Sequence, residues 1–186
     1  MNLPNKITTF RMICVVIIDF ILLFPWHACG INMPMVFGRI DLHYFISAIL
    51  FLIASFSDFL DGYLARKYNL VTTYGKFMDP IADKLLVDSV VIIMAIQRPD
   101  LVPPVVAVIM IARDLLVDAL RQVAVTKGIV LAANIWGKLK TVIQMTGLTF
   151  VLLLDWPFSL LNLPISITTI VMYVAGVVSL LSGVLY

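Results

Sequence analysis

Residues 57–84 read SDFLDGYLARKYNLVTTYGKFMDPIADK. The stretch leaves one apolar segment, crosses a short polar loop and enters the next. Asp58 and Asp61 are three residues apart, and Asp79 and Asp83 are four apart. Either spacing puts both carboxylates of a pair on one helix face, about one turn apart. A loop this short makes the two helices antiparallel neighbours, so four carboxylates are expected to converge near one membrane boundary. Ionised carboxylates crowded in low dielectric repel one another and are costly to desolvate. Something positive has to sit among them. Hard divalent cations such as Mg²⁺ or Mn²⁺ take oxygen ligands of this kind. Two ions side by side suit phosphoryl chemistry, because they hold the attacking and leaving oxygens together.

The residues between the acids point to a nucleotide. Gly62 and Ala65 leave helix surface without bulk, against which a base or ribose can lie, although a small-residue face is equally a helix-packing surface. Arg66 is placed to reach a phosphate, where its fork makes paired bonds. Gly75 is expected to open the loop before the second acidic pair. Pro80 is expected at a helix start, where its fixed backbone angle and missing donor do least harm.

Outward from this stretch the chain is apolar. Of 186 residues 62% are hydrophobic and 13% charged, against roughly a quarter charged in soluble domains. Six apolar segments, near residues 7–26, 43–65, 80–97, 102–122, 138–155 and 165–186, are each about long enough to cross a bilayer as a helix. Breaks fall at residues 25–34, 69–75, 98–104, 128–134 and 156–164, rich in Pro, Gly and Asn. The reading is all-α: one domain over residues 1–186, an integral membrane bundle of six transmembrane helices. The first apolar run has no small-residue cleavage site and is expected to stay as an anchor rather than act as a signal peptide.

With six spans, 11 of the 13 Lys and Arg residues fall on or near one side, leaving only Arg39 and Arg98 on the other. That side is expected to be cytoplasmic, in a multi-pass protein of the bacterial plasma membrane. With two cysteines, Cys14 and Cys29, no disulfide framework is expected. A net charge of +2 gives no sign of a nucleic-acid partner.

The run Asp58-x2-Asp61-Gly62-x2-Ala65-Arg66-x8-Gly75-x3-Asp79-x3-Asp83 resembles, at every fixed position, the motif of the CDP-alcohol phosphotransferase family. The six-span layout is similar too, so the likeness extends over the whole chain. The resemblance implies that Asp58, Asp61 and Asp79 bind metal. Asp83 joins them or acts as general base on an acceptor hydroxyl. It implies that Gly62, Ala65, Arg66 and Gly75 line a CDP site, that the lipid substrate is CDP-diacylglycerol, and that the protein is a homodimer. Small residues such as Gly147, Gly176 and Gly183 suit a helix interface, between chains or within one. The opening Pro4-Asn5-x2-Thr8-x2-Arg11 also resembles the family's. Asn5 and Thr8 are candidates to touch the nucleotide, with capping of the first helix an equal account of Asn5.

Acceptor identity lies outside the shared motif. Arg113 stands well inside an apolar run, where an arginine is costly unless paired. Asp114 is the nearest acid, though adjacent residues on a helix point in different directions. Arg113, Arg121, Lys138 and Lys140 together suggest a pocket for an anionic acceptor such as a phosphomonoester, with flanking charge as the competing account. The stretches IARD-x3-D-x2-R and GKLKT are similar to the branch of the family that makes phosphatidylglycerol phosphate, whose acceptor is sn-glycerol 3-phosphate. That branch usually has Glu where this chain has Asp114. Inositol phosphate and serine are the alternative acceptors. A divalent-cation transporter is a distant alternative, disfavoured by the absence of internal repeats and by the one-sided placement of the acids.

Overall fold

Helix dominates a computed structural model of the chain, which describes residues 3–67, 73–128, 135–161 and 163–185, without the side chains of 3–4, 59–67, 73–74 and 76–77. Among these residues are six α-helices: α1 (Leu3–Leu23), α2 (Leu42–Lys67), α3 (Thr73–Gln97), α4 (Pro104–Thr126), α5 (Ile135–Leu152) and α6 (Ile167–Val184). The fold is all-α, as the apolar segments predict. The one sheet among the described residues is a hairpin of two-residue strands, β1 (Met35–Val36) and β2 (Ile40–Asp41), paired antiparallel. Its turn places Phe37 and Gly38 at φ 53° and 68°, and Arg39 N–H donates to the Val36 carbonyl. Positive φ at consecutive turn residues matches the twist of paired strands.

Two compact units divide the chain: Met1–Ile93 with Leu152–Leu154, and Met94–Val151 with Asp155–Tyr186. In the first unit α1 packs along α2. Thr8, Arg11, Cys14, Val15, Ile18 and Leu22 of α1 are buried, while Phe10, Ile13, Val16, Ile17 and Phe20 are exposed. In the second unit α6 buries Thr168, Thr169, Met172, Ala175, Gly176, Ser179 and Ser182, and exposes Ile170, Tyr173, Val177, Leu180 and Leu181. Apart from Met172 the inward face of α6 is polar or small, and in both helices the outward face carries large apolar side chains.

The glycines of α5 and α6 set how closely the second unit's helices approach. A Cβ on Gly176 would stand 3.2 Å from Val106 Cγ1, and one on Gly183 would stand 3.0 Å from Arg113 Cγ. The same stride along both helices means that α4 and α6 run parallel. A Cβ on Gly147 would meet Met172 Sδ at 3.0 Å, and Gly137 lies beside Ser182, so α5 runs antiparallel to α6. These glycines therefore serve packing within one chain.

Helix ends follow local chemistry. Pro104 opens α4, where its missing N–H costs nothing. Gly128, at φ 73°, follows the last turn and donates to the Val125 carbonyl. Ser166 caps α6 by accepting from Thr169 N–H at 3.3 Å. Buried Asp155 adds to that cap, its carboxylate accepting from Thr168 N–H at 3.0 Å and Thr168 Oγ1 at 2.5 Å. Thr169 Oγ1 donates to the Asp100 carbonyl at 2.7 Å, tying the α3–α4 turn to the start of α6. Arg98 grips the Asp100 carboxylate with two bonds, which holds that carboxyl below its ordinary range. Asp155→Ala removes the acceptor for two donors near a positive helix end. It is expected to lower stability by about 1–2 kcal/mol, read as a lower melting temperature in detergent.

Three expectations are corrected. Pro80 lies inside α3, which begins at Thr73, so residues 73–75 belong to the helix and Gly75 does not open a loop. The proline removes the bond its own N–H would give to the carbonyl of residue 76, and its ring crowds that carbonyl. The helix nevertheless continues through it. Asn5 lies within the first turn of α1, which excludes it as the cap. Of the six expected spans, one among the described residues, Ile167–Val184, is both long and apolar enough to cross a membrane, with a shorter apolar stretch at Leu42–Asp58.

Candidate active site

α1 carries the polar face that organises the acids of the first unit. Asn5, Thr8 and Arg11 follow one another at three-residue steps, which places them on one side of the helix, and all three are buried. Thr8 Oγ1 donates to Asp79 Oδ1 at 2.6 Å. One turn on, Arg11 Nη1 lies 2.9 Å from Asp58 Oδ1 and also binds Asp83 Oδ1. One guanidinium nitrogen thus joins a carboxylate from α2 to a carboxylate from α3. The expected convergence of Asp58 and Asp83 is present.

The burial of these partners is unequal. The Arg11 side chain is 0% exposed, whereas those of Asp58 and Asp83 are 36% and 38% exposed. The arginine stands behind the carboxylates and leaves their outer sides open. The sequence placed Arg11 in the opening motif and among the charges of the basic side, without this role. The signal was the three-residue step from Asn5 through Thr8 to Arg11, a polar stripe in an otherwise apolar helix.

Asp61, Gly62, Ala65 and Arg66 lie on the last turns of α2, and their side chains are outside the described residues. Gly75 is buried in the first turn of α3. Among the described residues no three carboxylate, imidazole or thiol groups gather closely enough to hold an ion. The donor chemistry nevertheless suits a hard cation. Four carboxylates belong to this end of α2 and α3, and the one guanidinium among the described contacts balances only part of their charge. Half-open carboxylate oxygens are the ligands Mg²⁺ and Mn²⁺ prefer.

In the second unit Asp114 joins two cations. Arg113 Nη1 donates to Asp114 Oδ1 at 3.0 Å, and Lys140 Nζ donates to Asp114 Oδ2. The neighbours Arg113 and Asp114 do meet, because the long arginine stem bends back to its own helix. Arg113 Nη2 donates to Ser182 Oγ on α6. Arg113, Asp114 and Lys140 are nearly buried, with side chains 11%, 13% and 7% exposed. The other two members of the expected basic group, Arg121 and Lys138, are exposed. Both cysteines are free, Cys14 buried and Cys29 exposed.

Comparison with known proteins adds an independent line. Residues 1–181 match the family model described as CDP-alcohol phosphatidyltransferase. A Bacillus subtilis protein named CDP-diacylglycerol–glycerol-3-phosphate 3-phosphatidyltransferase is 40% identical over 184 residues, covering 98% of this chain and 91% of that protein. Proteins of the same name from Rickettsia bellii and Haemophilus influenzae are 36% and 32% identical, each spanning all of this chain and 93% and 91% of their own length.

Proposed function

Because the chain belongs to the CDP-alcohol phosphatidyltransferase family, we infer that it transfers the phosphatidyl group of CDP-diacylglycerol to sn-glycerol 3-phosphate, giving phosphatidylglycerol phosphate and CMP in phospholipid biosynthesis. Full-length similarity to proteins named for that reaction supports it. The observation on which the reading of the site rests is the convergence of Asp58 and Asp83 on Arg11.

The residue roles are assigned as follows. Asp58, Asp61, Asp79 and Asp83 would hold one or two divalent cations, Mg²⁺ or Mn²⁺. When bound, such ions supply positive charge to the pyrophosphate oxygens. Gly62, Ala65, Arg66 and Gly75 line the CDP site, with Asn5 and Thr8 beside them; Thr8 also holds Asp79 in place. Asp83 takes the proton from the acceptor hydroxyl. That oxygen then attacks the phosphorus bearing the diacylglycerol. The bond from this phosphorus to the bridging oxygen breaks, and CMP departs with the electron pair. Positioning and charge carry most of such a reaction.

Arg113 and Lys140 hold the acceptor's phosphate, with Arg121 and Lys138 as outer charges. Asp114 neutralises one of the two buried cations and leaves one net positive charge, which favours a phosphomonoester over an uncharged or zwitterionic alcohol.

The outward apolar faces of α1 and α6 support immersion in lipid, where polar groups are satisfied inside the protein. Six spans are proposed from the six apolar segments. Given them, the 11-to-2 distribution of Lys and Arg puts the acids at the cytoplasmic face, in a bacterial plasma membrane by analogy with the bacterial relatives. A homodimer is proposed from the family resemblance alone, since Gly147, Gly176 and Gly183 serve contacts within the chain.

The test is CMP release by purified protein in detergent with Mg²⁺ and CDP-diacylglycerol, offered sn-glycerol 3-phosphate, inositol phosphate or serine. Release is expected with glycerol 3-phosphate only, and EDTA is expected to abolish it. Preferred release with serine would overturn the assignment of Arg113 and Lys140 while leaving the acidic site intact.

A further inference from the structure

We propose that Ser182 and Gly183, at the C-terminal end of α6, form a socket that fixes the guanidinium of Arg113, making them positioning residues that set affinity for the acceptor's phosphate. The proposal rests on the assignment of Arg113 and Lys140 to the acceptor.

Arg113 has two polar anchors, on different helices. Its Nη1 is held by Asp114 on α4 at 3.0 Å, and its Nη2 by Ser182 Oγ on α6. Two outer nitrogens held by two helices leave the planar group little freedom to rotate. The stem is confined as well. It lies against α6 at Gly183, where a Cβ would stand 3.0 Å from Arg113 Cγ and 3.7 Å from Arg113 Nε. A side chain there would press on the stem, which must give by a few tenths of an ångström and so shift the guanidinium relative to the serine.

Ser182 is 0% exposed, and Gly137 of α5 lies beside its Oγ, 3.9 Å from where a Cβ would stand. The hydroxyl is therefore buried, with the backbone of α5 beside it. Lys140 reaches the opposite oxygen of Asp114, so the orientation of Arg113 also sets that of the second cation. An arginine used for paired recognition of phosphate gains from being held in advance, because less side-chain freedom is lost on binding. Ser182 is not placed within reach of a substrate. Its effect passes through Arg113.

The experiment measures KM and kcat for sn-glycerol 3-phosphate and for CDP-diacylglycerol in the wild type and in Ser182→Ala, Gly183→Ala, Arg113→Gln and the double variant Arg113→Gln/Ser182→Ala. A melting curve in the same detergent accompanies each. Ser182→Ala and Gly183→Ala are expected to raise KM for glycerol 3-phosphate about ten-fold, the size of one lost bond to a charged group. KM for CDP-diacylglycerol should stay within about two-fold. Arg113→Gln should raise the acceptor KM further, and adding Ser182→Ala to it should change nothing more, because the group being positioned is gone.

Full additivity in the double variant, or equal rises in both KM values, would show a packing role and overturn the socket. An unchanged acceptor KM in both α6 variants, with a raised one in Arg113→Gln, would overturn the socket and leave the acceptor assignment standing. An unchanged acceptor KM in Arg113→Gln would remove both.

Discussion

Asp83→Asn is expected to slow CMP release by about two to four orders of magnitude, with little change in the amount of folded protein. Asparagine keeps the size of the side chain and an oxygen that can accept from Arg11, so the tie between α1 and α3 survives. What it loses is the ability to take a proton from the acceptor hydroxyl. The comparison that gives this result meaning is Asp58→Asn, on the neighbouring helix and bound to the same arginine nitrogen. If Asp58 serves only as a metal ligand, raising Mg²⁺ should recover a sizeable part of the activity of Asp58→Asn, because weakened binding is offset by mass action. The same titration should leave Asp83→Asn slow. Recovery of Asp83→Asn by Mg²⁺ would leave Asp83 as a ligand alone and the base to be sought elsewhere.

What was legible in the sequence divides along a physical line. Long apolar segments separated by Pro, Gly and Asn declare themselves by composition, and all six helices lie close to their expected segments. The acidic pairs were legible because carboxylates in apolar surroundings are expensive, and their spacing fixed the helix face. Pro80 misled because a helix interior tolerates proline only against a missing bond and a crowded carbonyl, yet the residues ahead of it still form helix. The hairpin at Met35–Val36 and Ile40–Asp41 is too short to show an alternating pattern.

The least legible features act through geometry between helices. Ser182 sits in an apolar helix and carries no charge to betray its contact with Arg113. Gly183 reads as one more small membrane residue until the guanidinium stem is seen against it. Arg113 was marked by its cost inside an apolar run, but sequence adjacency argued against its pairing with Asp114, and only the bend of the long stem brings them together. Arg11 was hidden for the opposite reason. Near an N-terminus on the basic side, an arginine has a sufficient explanation in orienting the chain, and nothing in its own position separates that from a buried tie.

Arg11→Met is the second change with a large expected effect. The methionine keeps much of the buried stem's bulk but removes the only described cation that touches both Asp58 and Asp83. Breaking a fully buried pair costs roughly 3–5 kcal/mol, because a charge is left uncompensated. Here the two carboxylates are each more than a third exposed and water can reach them, so about 2–3 kcal/mol is expected in metal-free detergent solution. A second effect concerns the cations. Arg11 fixes the approach of Asp58 to Asp83 from behind, and loss of such an orienting partner typically weakens a metal site by about 10–100-fold. Mn²⁺ binding, followed by its paramagnetic resonance signal well below the melting temperature, separates this from simple instability. Arg11→Lys should restore most of the stability, since it returns the charge. It should restore less of the Mn²⁺ affinity, since an ammonium is a point charge without the planar guanidinium that orients both carboxylates. Tighter Mn²⁺ binding in Arg11→Met would mean that the arginine competes with the ions, and its place behind the carboxylates would then describe only the metal-free state.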